Sequence, residues 1–215
     1  MAKLPLPPTA ERLRAMREPD DVVAVAPMTS LARIFRAAGE HSLRWNEFRI
    51  AGPLATARFD PHPATRDDRP ADAAGYGVMY LGLSLRTCLA ETFQGARVVD
   101  RHTGSPTLAV FRPARVLRLL DLSGTWPTRA GASQAISTGR RDRARAWARA
   151  IFAAYDDIDG LWYRSSMDAG KPAVCLWQRA SDAIAGPADA LMPLDVAGLA
   201  LPVARECRRL GYLYV

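Results

Sequence analysis

Seven short apolar runs recur along the chain, at residues 22–25, 31–38, 78–82, 107–111, 116–122, 161–164 and 173–178. Each has strand length and is flanked on at least one side by Gly, Pro, Asp or Ser. The run at 31–38 has two readings. Ser30 could cap a helix there, yet Arg33-Ile34-Phe35-Arg36 alternates polar and apolar residues as a strand does, and the strand is the expectation carried forward. Strand candidates follow one another with short helices between them. That order predicts a mixed α+β fold and excludes a regular βαβ alternation.

Four helices are legible. Thr9 caps a short one over residues 10–16, which stops before Pro19. Ser84 caps a second, whose Leu85, Cys88, Leu89, Thr92 and Phe93 share one face. The clearest spans residues 142–155, where Ala144, Trp147, Ala148, Ile151, Phe152 and Tyr155 form a stripe and Arg141, Arg143, Arg145 and Arg149 lie off it. The last covers residues 202–210 and is closed by Gly211. Residues 60–77, rich in Pro, Gly and Asp, read as a long irregular loop, either a functional lid or a surface insertion. Residues 1–29 are expected to form an N-terminal arm, a short helix and strand packed on a domain spanning 30–215.

With 215 residues, 49% apolar and 24% charged, the chain can bury a core without staples. Disorder, a collagen-like fibre and a disulfide mini-protein are excluded. No run approaches the ~20 apolar residues of a membrane span, and the N-terminus has no signal-like apolar core, so a cytoplasmic protein is expected. Cys88, Cys175 and Cys207 lie far apart and read as buried, reduced thiols. His41, His62 and His102 are equally scattered, and no Cys/His cluster supports a zinc site. The formal charge is +7, carried almost wholly by arginine because Lys3 and Lys171 are the only lysines. Such a balance favours an anionic partner: nucleic acid, nucleotide or acidic protein.

Common nucleotide motifs fail. Gly75-Tyr76-Gly77 has Tyr80 where a third Gly should stand, and it precedes a strand instead of following one. GxxxxGK[ST], GxSxG and Ser-x-x-Lys are absent. What remains is a dispersed set of polar residues on or beside predicted elements: Arg36, Arg58, Tyr80, Glu91, Ser165 and Ser166.

In order, Phe35-Arg36, Ala57-Arg58-Phe59, Val78-Met79-Tyr80-Leu81-Gly82, Leu89-Ala90-Glu91-Thr92 and Gly160-Leu161-Trp162-Tyr163-Arg164-Ser165 resemble the RES-domain family. The likeness runs from about Leu31 to the C-terminus. Thr56-Ala57 replace the Gly-Gly common before the second Arg, Arg164 replaces a common Pro, and Phe35 stands where Tyr is common. Ser166 therefore competes with Ser165 for the serine role.

The resemblance implies a fold of small, mainly antiparallel sheets with short helices, like the ADP-ribosyltransferases. It implies NAD as substrate, bound in a cleft between two small sheets without a metal or tightly held cofactor. The nicotinamide–ribose bond would be broken by hydrolysis, phosphorolysis or transfer to a protein. It implies toxin action in the bacterial cytoplasm and an Xre-type helix-turn-helix antitoxin, commonly within a larger oligomer; a solitary member without antitoxin is the alternative. On this reading Glu91 stabilises the oxocarbenium-like ribose. Arg36 and Arg58 clamp the pyrophosphate through bidentate bonds. Tyr80 stacks on the nicotinamide ring or ribose, and Ser165 bonds the ribose or positions water.

A nucleic-acid-binding protein is the rival reading. Its support is the arginine face of the helix at 142–155, with Arg140 and Arg141 just before it. No zinc-finger or RNA-recognition signature accompanies that face.

Overall fold

The computed structural model describes residues 4–65 and 69–215. From the N-terminus come α1 (Ala10–Met16), β1 (Val22–Val25), β2 (Leu31–Arg36), β3 (Ala51–Gly52) and β4 (Ala71–Asp72). Next are β5 (Val78–Gly82), α2 (Leu85–Thr92), β6 (Val98–Val99), β7 (Pro106–Phe111) and β8 (Leu117–Asp121). Two one-turn helices, α3 (Trp126–Arg129) and α4 (Ala135–Thr138), precede the long α5 (Arg141–Ala154). Then follow β9 (Gly160–Arg164), β10 (Pro172–Trp177), β11 (Ala190–Pro193), α6 (Ala197–Leu210) and β12 (Leu213–Tyr214).

Eight strands form one sheet in the order β1-β8-β9-β10-β5-β2-β7-β11. Every pairing in it is antiparallel except β8 with β9. The α+β class and the predominance of antiparallel pairing are as expected.

The sheet is not uniform. β2 pairs with β7 from Leu31↔Phe111 to Arg36↔Pro106, and β5 pairs with β10 from Val78↔Trp177 to Gly82↔Ala173. Between β2 and β5 there is a single partnered position, Ala32↔Gly82. Beyond it the two strands part. The edge of β5 is instead taken by Arg49, whose N–H and C=O exchange bonds with Val78 at 2.9 and 3.0 Å. On the other side the Arg33 guanidinium donates to the carbonyls of Glu47 and Trp45, at 2.8 and 3.3 Å. The peptide group of Val78 at the edge of β5 is thus satisfied by a wedged segment, and the buried Arg33 ties that segment to β2 through the carbonyls of Trp45 and Glu47. Two strand blocks joined at one residue pair, rather than two separate sheets, create the cleft. Gly82 at this joint also lets α2 approach, because a Cβ there would meet Cys88 Sγ at 3.0 Å.

One face of the sheet is covered by α5 and α1. Along α5, Ala144, Trp147, Ala148 and Ile151 are buried, the predicted stripe. Trp126 and Trp147 meet edge to face, with ring centroids 6.1 Å apart. α1 buries Leu13, and the Tyr155 hydroxyl just past α5 donates to the Leu13 carbonyl at 2.6 Å. Arg14 donates to the carbonyls of Ala153 and Ala154, and Arg179 to those of Phe152 and Tyr155. The C-terminus of α5 is thereby capped by two cations, which suit the negative end of the helix dipole. On the other flank α2 packs on α6 around Leu89, Val203 and Cys207.

Two readings of the sequence are corrected. The last helix begins at Ala197, not Pro202, and Pro202 lies inside it. Burial of Leu199 on the same face as Val203 and Cys207 outweighs the backbone bond that Pro202 cannot donate. It does end at Gly211, with φ of 68°. The irregular stretch 60–77 is neither wholly lid nor wholly insertion. Asp60 and His62 at its start are completely buried, β4 pairs with β3, and most residues after His62 are exposed. Residues 1–3 and 66–68 of the sequence reading lie outside the described residues.

Candidate active site

Where β2 and β5 part, a cavity of about 480 Å³ opens, lined among others by Arg58, Tyr80, Glu91 and Ser166. Residues from distant parts of the chain meet there because each is carried by an element bordering the joint.

Glu91 projects from α2, one turn after Thr87 and therefore on the same helix face. The turn between β9 and β10 answers this spacing. Ser165 donates its hydroxyl proton to Glu91 Oε1 at 2.5 Å. Asp168 accepts from Thr87 Oγ1 and from Arg86 Nε, each at 2.7 Å. Ser165 Oγ also accepts the N–H groups of Met167 and Asp168, at 3.1 and 3.0 Å. Its lone pairs are occupied, so its single proton is directed at the carboxylate. Burial pushes the Glu91 carboxyl above the ordinary glutamate value, as does the negative charge of Asp168 to a lesser degree. The Ser165 hydrogen bond and the charges of Arg58 and Arg141 pull it back down.

Arg58 is fixed through its loop. Tyr80 OH accepts the Phe59 N–H at 2.9 Å and donates to Asp60 Oδ1 at 3.0 Å. Asp60 in turn takes both its oxygens to Arg49 Nη2 at 2.8 Å and accepts from the Leu54 N–H at 2.9 Å. From the other side Arg145 Nη1 reaches the carbonyls of Leu54, Ala55 and Ala57, each at 3.2 Å. The Arg58 guanidinium donates to the Gly139 carbonyl at 2.6 Å. Burial, then the neighbouring Arg141 charge, lowers the Arg58 pKa, while Glu91 raises it. With its hydroxyl engaged and its pKa driven well above the ordinary value by burial, Tyr80 acts on its surroundings as a neutral phenol.

The structure thus brings Arg58, Tyr80 and Glu91 to one cavity, with Ser165 behind the carboxylate. Arg36 is not brought there. It lies exposed at the end of β2, donates to the Thr103 carbonyl and packs beside Gly104. Arg33, three residues earlier, lines the cavity instead. Burial lowers its pKa to about 10, so it stays charged at neutral pH. The two serines divide: Ser165 holds Glu91, and Ser166 lines the cavity.

Among the lining residues that the sequence does not single out as site residues are Arg33, Ser137 and Arg141. Arg141, which the rival nucleic-acid reading groups with the arginine face of the helix at 142–155, donates to Gln94 Oε1 at 2.9 Å. That face is largely committed within the fold, since Arg140 pairs with Asp142 at 2.8 Å and Arg145 holds the loop before Arg58.

Among the described residues, no helix is long and apolar enough to cross a membrane. The cysteines Cys88, Cys175 and Cys207 are free and buried. No curated protein matches the sequence. Among solved structures, a chain of the crystal structure of the M. tuberculosis MbcT–MbcA toxin–antitoxin complex is similar, with a TM-score of 0.50 and 15% identity. That match covers 85% of this chain and 87% of the other, and at this identity it speaks for a shared fold. A family model described as the RES domain matches residues 17–197. Since that span holds most of the sequence and all of the site described above, the chain belongs to the RES-domain family.

Proposed function

We propose that this protein binds NAD in the cavity and breaks its nicotinamide–ribose bond, acting as the toxin of a toxin–antitoxin pair. The observation that carries the reading is Glu91, a half-buried carboxylate held by one oxygen and faced by arginines. Nicotinamide leaves with the electron pair of the C–N bond and becomes neutral, so no general acid is needed. Positive charge spreads over C1′ and the ring oxygen of the ribose, as in glycoside cleavage. Glu91 stabilises that charge, and its Oε2 remains for a ribose hydroxyl while Oε1 is taken by Ser165. The acceptor's lone pair then bonds to C1′ and the acceptor loses its proton. Water gives ADP-ribose, inorganic phosphate gives its phosphorylated form, and a protein side chain gives an ADP-ribosylated protein.

Arg58 holds one phosphate by charge-assisted bonds, and the ring of Tyr80 forms part of the wall against which the nicotinamide half packs. Ser165 serves as a positioning residue, because its proton is committed to Glu91. An antitoxin of the Xre helix-turn-helix type is the proposed partner, consistent with the toxin–antitoxin complex that the fold resembles.

Incubation of the purified protein with NAD, read by chromatography for free nicotinamide, tests this. Release by the wild type and a loss of ~10²–10³ in rate for Glu91→Ala are expected, the usual cost of removing one electrostatic contact to the transition state. Equal turnover by wild type and Glu91→Ala overturns the reading.

A further inference from the structure

At the corner where α4 meets α5, three groups point to a ligand that the protein itself does not supply. Ser137 is buried, 3% exposed, lines the cavity, and its Oγ has no hydrogen-bond partner. Its neighbour Thr138 bonds back to the Gln134 carbonyl at 3.3 Å, a partner type that Ser137 does not use. Arg141, the first residue of α5, lines the same cavity. Arg58 reaches this corner through its bond to the Gly139 carbonyl, between Ser137 and Arg141. Arg58 and Arg141 sit close enough for the second to depress the first, yet among the described residues neither forms a salt bridge with a carboxylate. Their side-chain partners are a neutral carbonyl and a neutral amide.

The helix adds to this. No side chain caps the N-terminus of α5, whereas its C-terminus is occupied by Arg14 and Arg179. The N-terminal turn of this 14-residue helix, whose Asp142 is paired with Arg140, therefore adjoins two guanidinium groups that form no salt bridge among the described residues and an unpaired hydroxyl.

We infer that Ser137, Arg141 and Arg58 form a phosphate-binding subsite of the cavity, Arg141 taking the place beside Arg58 that Arg36 is too remote to fill. The Ser137 hydroxyl donates to a phosphate oxygen, and each guanidinium adds a charge-assisted bond. This deepens the NAD reading and rests on it for the identity of the ligand. The phosphate is either part of the diphosphate bridge of the dinucleotide or a free phosphate ion bound beside it.

The test is calorimetric titration of the full chain with inorganic pyrophosphate and with ADP-ribose, at fixed ionic strength in phosphate-free buffer. Ser137→Ala and Arg141→Gln are expected to weaken both ligands about tenfold or more, the size of one hydrogen bond to a charged group. Arg209→Gln, an equal loss of charge on α6, should leave both affinities unchanged. If Ser137→Ala and Arg141→Gln bind as Arg209→Gln does, the subsite is refuted. Phosphate titrated into protein saturated with ADP-ribose separates the two sources. Exclusion assigns the corner to the diphosphate; continued binding that Arg141→Gln abolishes assigns it to free phosphate. Arg141-dependent pyrophosphate binding without nicotinamide release would sink the NAD reading and keep the subsite. Nicotinamide release with pyrophosphate binding indifferent to Arg141 would do the reverse.

Discussion

The two sides of the cavity differ in how far the protein completes them. Around Glu91, α2 and the turn from Ser165 to Asp168 are joined by a closed set of bonds. Thr87 and Arg86 reach Asp168, two N–H groups reach Ser165 Oγ, and Ser165 reaches Glu91. Around Ser137 the bonding is open, with an unpartnered hydroxyl and two cations that among the described residues form no salt bridge. A carboxylate that must sit within bonding reach of one ribose carbon gains from being fixed before substrate arrives. A cradle for phosphate needs no internal anion, because the substrate brings one. On the proposed reading the first side is completed by the fold and the second by its ligand.

If so, damage to the first side should register as lost stability and damage to the second should not. Asp168→Ala gives the largest effect of this kind. It leaves Arg86 and Thr87 without their acceptor and is expected to cost about 2–3 kcal/mol, read from urea unfolding. Arg141→Gln should stay within ~0.5 kcal/mol of wild type in the same experiment, as an exposed substitution with a neutral partner does. Arg141→Gln more damaging than Asp168→Ala would end the comparison.

Ser165→Ala sharpens it. Loss of one positioning bond should slow nicotinamide release about tenfold, less than loss of Glu91 itself. A change in pH dependence should accompany it. The Ser165 bond lowers the Glu91 pKa against burial, so its removal lets that pKa rise further. The proposed reaction uses the carboxylate, so the acid limb of the rate profile should move to higher pH in Ser165→Ala. A purely structural role for Ser165 would reduce the rate and leave the limb in place.

How far the sequence foretold these two sides follows the same division. Glu91 itself is singled out by the resemblance of Leu89-Ala90-Glu91-Thr92 to the RES-domain family, since a carboxylate off the apolar face otherwise reads as solvated. The helix carrying it was legible because the α2 face is set by its apolar residues. The α5 stripe was legible for the same reason, down to Trp147 and Ile151. Arg141 was not, since one helix turn of arginines looks alike from the sequence and only tertiary placement separates Arg140, paired with Asp142, from Arg141 in the cavity. Arg33 and Arg36 posed a similar problem. Both lie on β2, and the single-pair joint with β5, which no local pattern encodes, decides which one reaches the cavity. Ser137 sits in a one-turn helix too short to leave a periodic signal. The predicted start of the last helix at Pro202 failed because Leu199 is buried from a turn earlier.

The smallest expected effect concerns what the ordered side costs. Burial raises the Glu91 pKa in the folded state above its unfolded value of 4.5, so folding favours the protonated form. The stability this contributes is fully present below the unfolded value and is lost as pH rises through the folded one. At neutral pH the ionised carboxylate is therefore a net burden that the Ser165 bond and the two arginines only partly offset. Glu91→Gln keeps the shape and an acceptor for Ser165 while removing the charge. Its melting temperature at pH 7 should equal or slightly exceed that of the wild type, with the gap closing as the pH is lowered and Glu91 takes up its proton. A variant less stable than wild type at pH 7, and equal to it in acid, would mean that the ionised form of Glu91 strengthens the fold, and that this side of the cavity is ordered by charge pairing instead of being held in place for catalysis at some expense of stability.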